Sequence, residues 1–230
     1  MKIAILGAES TGKSQLAVEL TSALRSQGKT VSLVSEYLRE WCEIHGRTPR
    51  AAEQTLIAHE QVRRVEAAAQ TPTASSIVIT DTTALMTSVY SELLFNDASL
   101  HDFAAAHQRG YDITLLTGLD LPWVADGVQR DGPHTREATD TLLRAALGRA
   151  SLGYQVVYGT GAARLANALQ AVGAAEAEKT TVFIANYAHG TRAIAIFSSE
   201  KPEKKALWAS SCEKCSDPDC EHRLFSQLLR

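Results

Sequence analysis

The chain has little that would tie it to a membrane, an oxidising compartment or a polyanion. No apolar run approaches the length needed to span a bilayer. The 23 lysines and arginines fall just short of the 26 aspartates and glutamates, and the net charge of −3 gives no global attraction to nucleic acid or anionic lipid. Four cysteines in 230 residues are too sparse for a disulfide framework, and three of them crowd together near the C-terminus. The opening residues read as a strand leading into a loop, so no secretory leader is expected. These absences lead to the expectation of a cytoplasmic protein with reduced thiols and with neither nucleic acid nor membrane as partner. Apolar residues make up 45% of the chain, enough for a full core that needs no metal or disulfide to hold it.

What is present is concentrated at the start. Gly7-Ala8-Glu9-Ser10-Thr11-Gly12-Lys13-Ser14 matches G-x-x-x-x-G-K-[ST] without a gap. Lys2–Leu6 before it is a short apolar run that reads as a buried strand, and Gln15–Leu24 after it has apolar residues at helical spacing. Glycines at both ends let backbone N–H groups turn inward around phosphate oxygens at a helix N-terminus, where the dipole favours negative charge. Gly7, Glu9, Ser10, Thr11, Gly12, Lys13 and Ser14 are therefore the expected triphosphate site. Lys13 is expected on the β- and γ-phosphates, and the Ser14 hydroxyl on a magnesium ion. The chain has no Asn-Lys-x-Asp guanine-reading signature, which counts against a GTPase.

Further strand-like runs at Thr30–Val34, Ser76–Asp81, Tyr111–Leu116 and Tyr154–Tyr158 alternate with helical patterns, one of them from Pro49 to Ala69 and another over Ala162–Val172. This alternation predicts an α/β fold, a central parallel sheet between two helical layers, with ligands at the carboxyl ends of the strands. The pattern spans residues 1–175 as one domain. Beyond it, Val182–Tyr187 and Arg192–Phe197 read as a β-hairpin, and residues 176–230 as a C-terminal extension that ends in a cysteine-rich tail.

Two carboxylates close strands and so should face the loop across the crevice: Glu36 after the second strand and Asp81 at the end of the third. Asp81 is the candidate for the magnesium shell, and Glu36 for the base that takes a proton from an attacking hydroxyl. The opposite assignment of the two roles stays open. The long segment from Gly118 to Arg136, rich in glycine, proline and arginine, predicts a lid whose Arg130 and Arg136 meet charge on a transferring phosphoryl group. Trp123 either stacks on a flat acceptor or packs into the core, and Arg39 either pairs locally with Glu36 or reaches the acceptor.

The loop Gly7–Ser14, together with Ser35-Glu36-Tyr37-Leu38-Arg39-Glu40, Thr80-Asp81-Thr82 and Asp120-Leu121-Pro122-Trp123-Val124-Ala125-Asp126-Gly127, resembles the ribosylnicotinamide kinase domain of the NadR-like P-loop family over about residues 1–173. The resemblance implies a nucleoside-kinase-like fold, ATP and magnesium as cofactors, and transfer of phosphate to the 5′-hydroxyl of nicotinamide riboside in NAD salvage. It also implies that Glu36, Tyr37, Arg39, Trp123 and Asp126 contact the acceptor. The alternative is a P-loop ATPase or nucleotide-dependent switch with the C-terminal tail as an interaction module.

Cys212, Cys215, Cys220 and His222 follow a C-x2-C-x4-C-x-H pattern, a tetrahedral zinc complement whose last pair is unusually tight, so that Cys42 is an alternative fourth ligand. Metal analysis of the purified protein is expected to find about one zinc per chain, lost on Cys215→Ser. A protein that takes up no zinc on titration would leave these thiols free.

Overall fold

Strand β1 (Lys2–Leu6) sets the layering: Ile3 and Ile5 point to one side, Ala4 and Leu6 to the other, and all four are fully buried. A strand buried on both faces must be covered on both. The computed structural model describes residues 1–70, 76–124 and 133–188. In it β1 lies at the centre of a five-stranded sheet with β2 (Thr30–Val34), β3 (Ser76–Asp81), β4 (Ile113–Thr117) and β5 (Gln155–Val157), in the order β2-β3-β1-β4-β5. All pairings are parallel, and Ile5 sits opposite Asp81 on one side and Leu115 on the other.

Helices α1 (Lys13–Ser26) and α7 (Gly161–Ala188) cover one face, setting Leu16, Leu20 and Ala168 against Ile3, Ile5 and Leu115. Helices α3 (Ala51–Ala69), α4 (Ala84–Phe95), α5 (His101–Gln108) and α6 (Pro133–Arg149) lie across the other, where Ala58, Leu85 and Leu143 meet Ala4, Leu6 and Leu116. The short helix α2 (Tyr37–His45) packs on α3 through Trp41, Cys42 and Ile57. This is the three-layer α/β architecture that the alternation predicts. It places the carboxyl ends of β1, β2 and β3 side by side, with the loop after β1 and the starts of α2 and α4 around one crevice. Among the described residues, no helix is long and apolar enough to cross a membrane.

Contacts divide the chain into a compact unit, Met1–Ile184, and a second unit, Ala185–Arg230. Two expectations change. The helix expected from Pro49 begins at Ala51, with Arg50 as the N-cap. Glu53 fixes that start: its Oε2 accepts the Arg50 backbone N–H at 2.7 Å while Arg47 forks onto both oxygens, leaving Pro49 outside the first turn. The helix expected over Ala162–Val172 instead runs to Ala188, through the segment Val182–Tyr187 that reads as the hairpin's first strand. Its alanine-rich first half nucleates a helix, and adding β-branched residues to an existing helix costs only a few tenths of a kcal/mol or so each. The second hairpin segment, Arg192–Phe197, lies outside the described residues.

Candidate active site

The loop between β1 and α1 is built on two glycines in positive-φ conformations, Gly7 at φ 149° and Gly12 at φ 72°. A Cβ on Gly7 would stand 2.0 Å from the Thr117 Oγ1 of β4, so the chain here can carry no side chain. The Thr11 and Thr117 hydroxyl oxygens stand 2.7 Å apart, and each lies within hydrogen-bond reach of a backbone carbonyl, Ala8 O at 2.7 Å and Leu6 O at 3.1 Å respectively, so that their two protons are shared among three short contacts. Lys13 opens α1, is buried, and donates to Ala8 O at 2.8 Å. The lysine thus sits inside its own loop, holding the curve into which phosphates would fit. Burial lowers the Lys13 ammonium from its ordinary value, and the nearby Glu36, Asp81 and Glu9 carboxylates oppose that shift.

Glu36 stands between β2 and α2, in the N-cap position of the helix. Its orientation is set from α3: the Gln61 carboxamide accepts the Tyr37 N–H at 2.8 Å and donates to Ser35 O at 3.4 Å, gripping the backbone on both sides. The Glu36 side chain is only 10% exposed and pairs with Arg39 at 3.5 Å. Burial pushes its carboxyl above the ordinary range, Lys13 and Arg39 pull it down, and Asp81 raises it.

Asp81 ends β3, is buried, and its Oδ1 accepts no hydrogen bond from the described residues. The next residue, Thr82, has φ 64°, a conformation that β-branched side chains rarely adopt. It is held there by its N–H to Ile5 O at 3.0 Å, while the Thr83 hydroxyl caps α4 by accepting the Leu85 N–H.

Glu9, Ser10, Thr11, Gly12, Lys13, Ser14, Glu36, Arg39 and Asp81 line one cavity of about 490 Å³, which continues past Leu33, Leu38, Pro49 and Leu94 toward α2 and α3. Cys42 lines it too, with its thiol pushed up by burial. Tyr37 and Trp123 are not among its walls: the Tyr37 ring lies under the Arg64 guanidinium at 4.4 Å, and Trp123 is half-buried on the connection after β4. That connection meets the phosphate loop at both of its described flanks. The Val124 N–H donates to Ser10 Oγ at 2.7 Å, and Thr135 Oγ1 donates to Glu9 Oε2 at 2.8 Å. Asp126, Arg130, Cys212, Cys215, Cys220 and His222 lie outside the described residues. Among the described residues, no cluster of three or more His, Cys, Asp or Glu side chains is arranged to hold a metal ion.

Arg136, on α6, is buried outside the cavity walls, with Nε and Nη2 both lacking a partner among the described residues. It lies close enough to Arg164 for the two charges to oppose each other. The sequence gives no sign of Arg164. It is 4% exposed at the start of α7 and donates to Thr11 O and to Gly159 O, 3.8 Å from Asp120. Asp120 in turn accepts the Gly159 N–H at 2.6 Å. The phosphate loop is thereby tied to the turn after β5 by one guanidinium. Burial lowers the Arg164 value, against the pull of Asp120 and Glu19.

A glycine-pinned loop on the central strand of a parallel sheet, with a lysine curled inside it and carboxylates on the neighbouring strand ends, defines a P-loop nucleotide-binding protein. The family model described as AAA domain matches residues 2–164, and the chain belongs to that family. In fold it is similar to NadR protein in complex with NAD and AMP-PNP (TM-score 0.60, 19% identity over 74% of this chain and 48% of that one). It is similarly close to NadR protein in complex with NR (TM-score 0.61, 18% identity, 74% and 49% covered). The chain thus spans about half the length of the NadR proteins it matches. The resemblance to NadR-like P-loop proteins carried by the sequence motifs is met in the fold. A search among curated proteins gave no significant match.

Lys13→Ala is expected to weaken nucleoside-triphosphate binding by roughly 10- to 100-fold, the worth of a charge-assisted hydrogen bond. Titration with a fluorescent ATP analogue measures it, and near-normal binding would remove the loop's assigned role.

Proposed function

We propose that the protein is an ATP- and magnesium-dependent small-molecule kinase that phosphorylates the 5′-hydroxyl of a ribonucleoside, nicotinamide riboside before others. The observation that carries this reading is the continuation of the P-loop cavity past Glu36 to α2 and α3. A protein that only hydrolyses triphosphate needs room for one water beside the phosphates. Here the Glu36 carboxylate lines the same cavity as the loop and as Leu38, Pro49 and Leu94, which leaves room for a second, hydroxyl-bearing ligand. The likeness to NadR bound to NR supports the choice of acceptor.

In this mechanism the loop N–H groups and Lys13 bind the triphosphate, with Lys13 exchanging Ala8 O for phosphate oxygen. Ser14 and the unpartnered Asp81 Oδ1 would hold magnesium, which would offset charge on the phosphates. Glu36 takes the proton of the acceptor 5′-hydroxyl as the oxygen bonds the γ-phosphorus and the bond to ADP breaks. Arg136, with two unsatisfied N–H positions beside the P-loop flank, is assigned to the charge that develops on the transferring group.

ADP release measured over a panel of ribonucleosides tests the reading: a kinase is stimulated by its acceptor, whereas acceptor-independent hydrolysis would make the protein an ATPase. Glu36→Gln should lower turnover by roughly 10²-fold with little change in acceptor affinity. Because burial raises the Glu36 carboxyl, the base form is lost at a higher pH than for an ordinary glutamate. Wild-type turnover should therefore climb with pH along an acid limb displaced upward from 4.5, and that limb should vanish in the variant. If Asp81→Asn abolishes the limb and Glu36→Gln leaves it, the two roles are exchanged. For Arg136→Ala, single-turnover transfer should slow by roughly 10-fold or more with ATP affinity nearly unchanged; an equal loss in both would make it a ground-state contact.

A further inference from the structure

Two glutamines on α3 are buried, Gln54 at 2% and Gln61 at 3% exposure. They are seven residues apart, so they lie on one stripe of the helix. Gln61 is fully used: its carboxamide closes on Ser35 and Tyr37 and so aims Glu36. Gln54 is one of the walls of the cavity that Glu36 and Lys13 share, and its Oε1 is sealed from water with no donor among the described residues. The same cavity is lined by the apolar Leu38, Pro49 and Leu94 as well as by the polar Thr48 and Tyr90. A buried carbonyl oxygen left without a donor costs more than a neutral hydrogen bond returns, so such a group is kept where a ligand completes it.

We propose that Gln54 is a specificity-determining residue that accepts an N–H from the base of the acceptor nucleoside. This rests on the kinase reading above and deepens it. The acceptor's class is thereby narrowed to ribonucleosides with an aromatic base whose substituent donates an N–H. A primary carboxamide meets that description. A ring of the same shape whose substituent only accepts would leave Oε1 unsatisfied and set two oxygens against each other. Gln54 does not touch the reacting atoms in this scheme, so its effect falls on acceptor binding and not on transfer.

The test uses the full chain at saturating ATP, with ADP release as the readout. Nicotinamide riboside is compared with 3-acetylpyridine riboside, which has a methyl ketone in place of the carboxamide and no N–H there. Wild-type protein should use the ketone with kcat/KM lower by about 10- to 100-fold, the difference lying in KM. Gln54→Met keeps the length and removes the acceptor; it should bring the two ribosides to within about 3-fold of each other, with kcat and the KM for ATP unchanged. Equal use of the two ribosides by the wild type would overturn the assignment, as would a Gln54→Met protein that keeps the wild-type ratio. The wild-type comparison can overturn the assignment even if the variant does not fold. ADP release that no riboside stimulates would overturn the kinase reading itself, and this assignment with it.

Discussion

Lys13 is drawn into the cleft with carboxylates on two neighbouring strand ends, and this buried charge cluster is the constraint around which the rest of the site is arranged. Burial drives the lysine toward its neutral form and Glu36 toward its protonated one, and each opposes the shift of the other. A cluster of this kind is tolerable only if its geometry is fixed, since a buried ion that loses its partner costs several kcal/mol or so. The surrounding structure supplies that fixity from four directions. Ala8 O holds the lysine, Gln61 grips the backbone on either side of Glu36, Ile5 O holds the residue after Asp81, and Arg164 ties the loop to the turn after β5.

The sheet explains why these anchors converge. With β1 in the middle and both neighbours parallel to it, the carboxyl ends of β1 and β3 and the hydroxyl of Thr117 on β4 arrive at the same edge. α3 crosses beneath them on the opposite face from α1, and its buried glutamines serve the start of α2 and the far wall of the cavity. The helix that completes one core layer is therefore also one of the elements that line the cavity.

Much of this was legible in the residues. The loop motif needed only its own spacing, and the carboxylates at Glu36 and Asp81 followed from where apolar runs stop, because a parallel sheet brings strand ends together. Local chemistry misled where one residue type has two uses. Pro49 suits a first helical turn, but Glu53 draws the start to Ala51 by bonding Arg50 and Arg47. The β-branched run at Val182–Tyr187 suits a strand, yet it continues a helix already nucleated by alanines. Gln61, Asp120 and Arg164 could not be read as supports of the site, since each has meaning only through partners far along the chain. The sole local hint was a pair of polar side chains seven residues apart on the buried stripe of α3.

Thr82 carries a different implication. A β-branched residue at φ 64° is strained by about 1–2 kcal/mol, and it sits directly after Asp81. Glycine at that position would relieve the strain, but it would also empty the space of a buried side chain and loosen the unfolded and folded backbone alike. The gain and the losses are of similar size, so heat resistance alone does not decide between the two residues. What separates them is order: the threonine leaves the chain after Asp81 one narrow conformation, and the carboxylate inherits that restriction.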